Sequence, residues 1–145
     1  MAEAVALAAS IVALIDVSAK LISHTRELIE AIKAAPHELY LIHIETLTLS
    51  GILHSLQSLH DGDNIPQRSL DKLLGWNGLL SVCRRTLDAL GRILDPVGDK
   101  ARCAFLRDTR RHISSALKAS HAKKLVQDVR RFTDLIKVAL LDDLQ

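Results

Sequence analysis

Leu7, Ile11, Leu14, Ser18, Leu21, Thr25, Leu28 and Ile32 recur at alternating steps of four and three. That spacing places residues on one stripe of an α-helix. A second stripe, Ala8, Val12, Ile15, Ala19, Ile22 and Ile29, runs beside the first. The pattern predicts a helix from about Ala2 to Ala34. Its second half is amphipathic, with Arg26, Glu27, Glu30 and Lys33 on the polar side. Its first half is apolar nearly all round, which predicts a helix central in a bundle or one made for lipid.

Pro36 suits the first turn of a second helix, where a missing N–H costs nothing. That helix is predicted from about Pro36 to His60, with Leu39, Ile42, Thr46, Leu49, Leu53 and Leu56 as its stripe. Asp61-Gly62-Asp63-Asn64 with Pro66 reads as a loop. Ser69 can cap a third helix from Leu70, with a bend or break at Gly75-Trp76-Asn77-Gly78. Its pattern resumes at Leu79, Val82, Cys83, Leu87, Leu90 and Leu94, and Asp95-Pro96-Val97-Gly98 is expected to stop it. Asp99 and Ser120 can then cap helices at about Lys100–Lys118 and Ala122–Leu144. The fold class that follows is all-α: one domain over residues 1–145, a bundle of four to five helices with the first long and central.

Composition agrees with that reading. The chain is 48% hydrophobic yet 3% aromatic, with six glycines and three prolines in 145 residues. So much apolar content excludes a disordered chain. Strands would call for more aromatic residues and more turn residues. Two cysteines, Cys83 and Cys103, are too few for a disulfide framework and read as reduced core thiols. Ala4–Ile15 is free of charge over twelve residues, short of the about 20 that span a bilayer. Glu3 before it argues against a signal peptide, so the stretch reads as part of the mature fold.

Charge divides the chain in two. Residues 1–81 hold five Lys/Arg and nine Asp/Glu, whereas residues 82–137 hold fourteen Lys/Arg and six Asp. The basic half contains Arg84, Arg85, Arg92, Arg107, Arg110, Arg111, Lys118, Lys123, Lys124, Arg130 and Arg131. A plain solvated face, paired in part with the acidic half, is one reading of these residues. Anionic lipid headgroups are another, at about 1 kcal/mol per nearby cation. Nucleic acid is disfavoured, because aromatics for base stacking are nearly missing.

Signatures of catalysis and cofactors are missing too. Seven histidines occur without a His-Glu-x-x-His or paired Cys-x-x-Cys spacing. No Gly-rich phosphate loop and no nucleophile elbow is present. No catalytic, metal or cofactor residue is expected.

Four segments together resemble a known family. They are the opening Met-Ala-Glu-Ala-Val-Ala-Leu-Ala-Ala-Ser-Ile-Val-Ala-Leu-Ile, Lys33-Ala34-Ala35-Pro36, the stretch from Glu45 to Leu59, and the stretch from Leu125 to Asp142. In this order they resemble the fungal HeLo-like N-terminal domains of NOD-like (STAND) receptors. Those domains are related to HeLo cell-death domains and to the four-helix bundle of the mixed-lineage kinase domain-like necroptosis effector. The resemblance implies a non-enzymatic executioner domain that self-associates when a C-terminal or partner receptor sensor triggers it. Its N-terminal helix would then leave the bundle and permeabilise the plasma membrane, as in heterokaryon incompatibility. At rest it would be cytoplasmic.

Carried onto this chain, the membrane-insertion candidates are Val5, Leu7, Ile11, Val12, Leu14 and Ile15. The anionic-lipid candidates are Arg84, Arg85, Arg107, Arg110, Arg111, Lys123, Lys124, Arg130 and Arg131. A second reading uses the same bundle as a non-lytic signalling or oligomerisation module of an NLR-type receptor.

Overall fold

The computed structural model describes residues 2–31, 35–62, 78–103 and 122–142. Among these residues the fold is an all-α bundle of four helices: α1 (Ala2–Ala31), α2 (His37–Asp61), α3 (Leu79–Cys103) and α4 (Ala122–Asp142). The expected helical stretches at 70–77 and 104–118 lie outside the described residues.

α1 buries the four-three stripe. Leu7, Ile11, Leu14, Ser18, Leu21, Thr25 and Leu28 are all enclosed. The neighbouring stripe is half-buried at Ala8, Ile15, Ile22 and Ile29 and exposed at Val12 and Ala19. Each Leu or Ile of the enclosed stripe gains about 1.5–3 kcal/mol on full burial, and the helices packed against α1 decide which of the two stripes is enclosed.

α1 packs against α2 and α3, and α4 packs against the same two helices from the other side. Among the described residues the four helices form a ring, with α1 the longest of them. α2 follows α1 through a short link. Pro36 is buried at its start, and its carbonyl accepts the Leu39 N–H at 3.1 Å. Glu38 lies in the first turn, where a negative charge favours the helix dipole. Gly62 closes the other end, donating its N–H to Ser58 O at 3.1 Å.

α3 departs from expectation at its C-terminal end. The predicted stop at Asp95–Gly98 does not occur, and the helix runs through Pro96 to Cys103. Asp99 is thus inside a helix rather than capping one. Proline removes one hydrogen bond and crowds the preceding turn. That turn is held from outside, because His24 Nε2 on α1 donates to the Leu94 carbonyl oxygen at 3.1 Å. A carbonyl only accepts, so the proton sits on Nε2.

The core is aliphatic, with Phe132 its one aromatic among the described residues. Four threonines lie within it, and each finds a backbone acceptor on its own helix. Thr25, Thr46, Thr86 and Thr133 donate to Leu21, Ile42, Val82 and Val129 at 2.6–3.1 Å. Thr25 Oγ1 also lies 2.7 Å from His43 Nδ1, which ties α1 to α2.

Ser18 is different. Its Oγ is fully enclosed and has no hydrogen-bond partner among the described residues. An orphaned buried polar atom costs about 1–3 kcal/mol. Ser18→Ala should therefore stabilise the bundle by about 1 kcal/mol, which in a chain of this size raises the melting temperature by about 3 °C. A thermal melt followed by circular dichroism checks this, and a lower melting temperature would show that the hydroxyl is satisfied.

Candidate functional site

The structure separates the six insertion candidates by face. Leu7, Ile11 and Leu14 are core residues, at most 1% exposed. Val5 and Val12 point away from the core, 71% and 46% exposed, and Ile15 lies between the two faces. Ala6, Ala9 and Ala19 are also exposed, so the outer side of the first half of α1 is a surface of small apolar side chains broken by Asp16.

Two helices are long and apolar enough to cross a membrane, over Val5–Ala31 and His37–Leu59. In each, 33% of the most apolar window is buried. The first lengthens the stretch read from the sequence, because the helix continues past Asp16 without a break. The second was not anticipated. Its signal lies in Tyr40, Ile44, Leu47 and Gly51, a four-three stripe on the side of α2 opposite the core. All four are exposed, Ile44 at 53%. α2 also carries no Lys or Arg.

Six of the nine basic candidates lie on the described residues of α3 and α4. Arg84 and Arg85 are exposed on α3, and Lys123, Lys124, Arg130 and Arg131 are exposed on α4. Arg107, Arg110 and Arg111 lie outside the described residues. Arg130 Nε is 3.9 Å from Glu45 Oε1 on α2. Acidic and basic halves therefore meet there, with Arg130 exposed and Glu45 half-buried, though a pair at that distance adds little stability. Arg84 instead belongs to the α1–α3 side of the ring, on the flank opposite the α2–α4 contact.

On that flank a cleft of about 690 Å³ opens between α1 and α3. Val17, Leu21 and Leu87 supply its apolar lining; Lys20, His24, Arg84, Asp88, Gly91 and Arg92 complete it. His24 meets Leu94, and the cleft runs back from there along earlier residues of both helices, so α1 and α3 are parallel. Asp88 organises the cations: Arg84 Nε is 3.9 Å from its carboxylate, and Arg92 Nε donates to its backbone carbonyl at 3.4 Å.

Gly91 is conspicuous in this wall. Glycine inside a helix costs about 1 kcal/mol relative to alanine. A Cβ placed on Gly91 would meet nothing within 4 Å, so no packing constraint requires the residue. Gly91 lines the cleft with open space around it. Sequence reasoning passed over Lys20 and Gly91 as site residues. The readable signal was a glycine between Asp88 and Arg92 in an otherwise unbroken helical pattern.

Cys83 is a free thiol sealed in the core, and burial pushes it up to about 12, which leaves it an unreactive thiol at neutral pH. His24 and His43 serve as interhelical fasteners. Among the described residues, no group of three or more His, Cys, Asp or Glu side chains could hold a metal ion. Compared with known protein families, with curated proteins and with solved structures, the chain matches none of them.

Proposed function

We propose that this chain is a membrane-permeabilising effector domain that stores an apolar N-terminal helix in a four-helix bundle and releases it on activation. The observation that carries this reading is α1. It is long and apolar enough to cross a bilayer, its exposed side is apolar at Val5, Ala9 and Val12, and its buried stripe contains a serine with no hydrogen-bond partner among the described residues. A bundle does not need apolar residues on its outer surface, whereas a helix that changes from core to lipid needs them all round.

On this proposal the domain is not an enzyme. It rests in the cytoplasm, self-associates when an NLR-type sensor triggers it, and moves to the plasma membrane. Exposed cations on α3 and α4 favour anionic lipids as its target. The resemblance to fungal HeLo-like domains supplies the cellular outcome, programmed death of the heterokaryon-incompatibility kind.

Dye release tests the biochemical part. The full chain should empty vesicles that contain anionic lipid much faster than vesicles of neutral lipid alone. Expression in fungal cells should place it at the plasma membrane and kill. A chain that self-associates but releases no dye and kills no cells would instead be the non-lytic signalling module.

A further inference from the structure

We propose that the cleft between α1 and α3 is a binding site for a phosphate monoester, presented either by a lipid headgroup or by a soluble molecule. Three observations meet there. Lys20, Arg84 and Arg92 bring three positive charges to one opening, and Asp88 is the one carboxylate among its lining residues. The excess of two positive charges matches a phosphate monoester, which carries about −1.5 to −2 near neutral pH, better than a diester. Guanidinium groups suit this ligand because their forked donors match phosphate oxygens in pairs.

The carboxylate of Asp88 would repel an anion, but Arg84 Nε lies 3.9 Å from it and offsets part of its charge. Its backbone carbonyl holds the Arg92 side chain in place on the same wall. Val17, Leu21 and Leu87 lower the local polarity beneath the cations, which strengthens charge–charge attraction relative to open water. Gly91 completes the site. Gly91 lines the cleft and a Cβ there would meet nothing within 4 Å, so a large side chain at this position tests whether that space is used. This inference does not rest on permeabilisation, since a soluble phosphate would satisfy the same groups.

The test uses the full chain and two sources of the same chemistry. Vesicles of neutral lipid are prepared with phosphatidic acid, a monoester, or with phosphatidylserine, a diester, at matched surface charge. The chain should bind the phosphatidic acid vesicles at least tenfold more tightly. Lys20→Gln, Arg92→Gln and Gly91→Leu should each remove most of that preference, whereas Arg131→Gln, outside the cleft, should weaken binding to both vesicles and leave the preference intact.

In a parallel arm without lipid, inorganic phosphate and glycerol phosphate are titrated while the melting temperature is followed. A rise that Gly91→Leu abolishes assigns the site to a soluble ligand, and a preference seen on vesicles alone assigns it to the headgroup. Lys20 and Arg92 are exposed, so their variants keep the test valid if Gly91→Leu does not fold. Equal binding to the two vesicle types together with no response to phosphate overturns the proposal. So does a Gly91→Leu chain that folds and keeps the full preference.

Discussion

Val12→Asp should abolish dye release while leaving the bundle folded. Val12 is 46% exposed on the outer side of α1, and substitutions at such positions usually change stability by no more than about 0.5 kcal/mol. In a bilayer the same residue would lie well inside the apolar stretch that begins at Val5. An aspartate near the centre of a membrane helix costs about 2.5–3.5 kcal/mol, equivalent to a loss of roughly 100-fold in the inserted population. Asp16 lies one turn away, so a second acid compounds the cost. Melting temperature and dye release measured on one preparation decide the matter. An unchanged melt with wild-type release would mean that α1 does not enter the bilayer. Replacement of Leu7 or Ile11 has no such power, because both are core residues and their loss damages folding and insertion together.

That distinction was not available from the sequence. The four-three stripe of α1 predicts the enclosed residues without a miss from Leu7 to Leu28. Periodicity could not say whether the adjoining stripe was also enclosed, since a second apolar stripe looks the same whether a partner covers it or not. Only packing separates Leu14, enclosed between neighbours, from Val12, two positions earlier and facing outward.

The stop at Pro96 failed for a related reason. Local chemistry at Asp95–Gly98 argues for a break, but α3 is continuous there and is clasped by a histidine seventy residues earlier. The α1–α3 cleft was hidden in the same way. Lys20 and Arg92 belong to halves of opposite net charge, and only the fold brings them to one opening.

Leu53→Ala should destabilise the bundle and yet accelerate dye release. Leu53 is fully buried on α2 and belongs to the same core cluster as the enclosed residues of α1. Truncating a buried leucine to alanine costs about 2–5 kcal/mol, from lost transfer energy and the cavity left behind. The composition of α1 is untouched, so its affinity for lipid is unchanged. What changes is the closed state that competes with insertion. If release of α1 limits the rate, weakening its seat by about 2 kcal/mol raises the open population roughly 30-fold.

Ser18→Ala should act in the opposite sense, because it removes an orphaned hydroxyl from the same seat and slows release. The two variants therefore predict an inverse relation between melting temperature and rate of dye release. Measured on vesicles with anionic lipid at a temperature where both chains remain folded, that relation separates stored-helix release from a pre-formed membrane surface. A surface that acts without opening would lose activity as the bundle loosens, and a Leu53→Ala chain that binds and leaks less than wild type would show that α1 works in place.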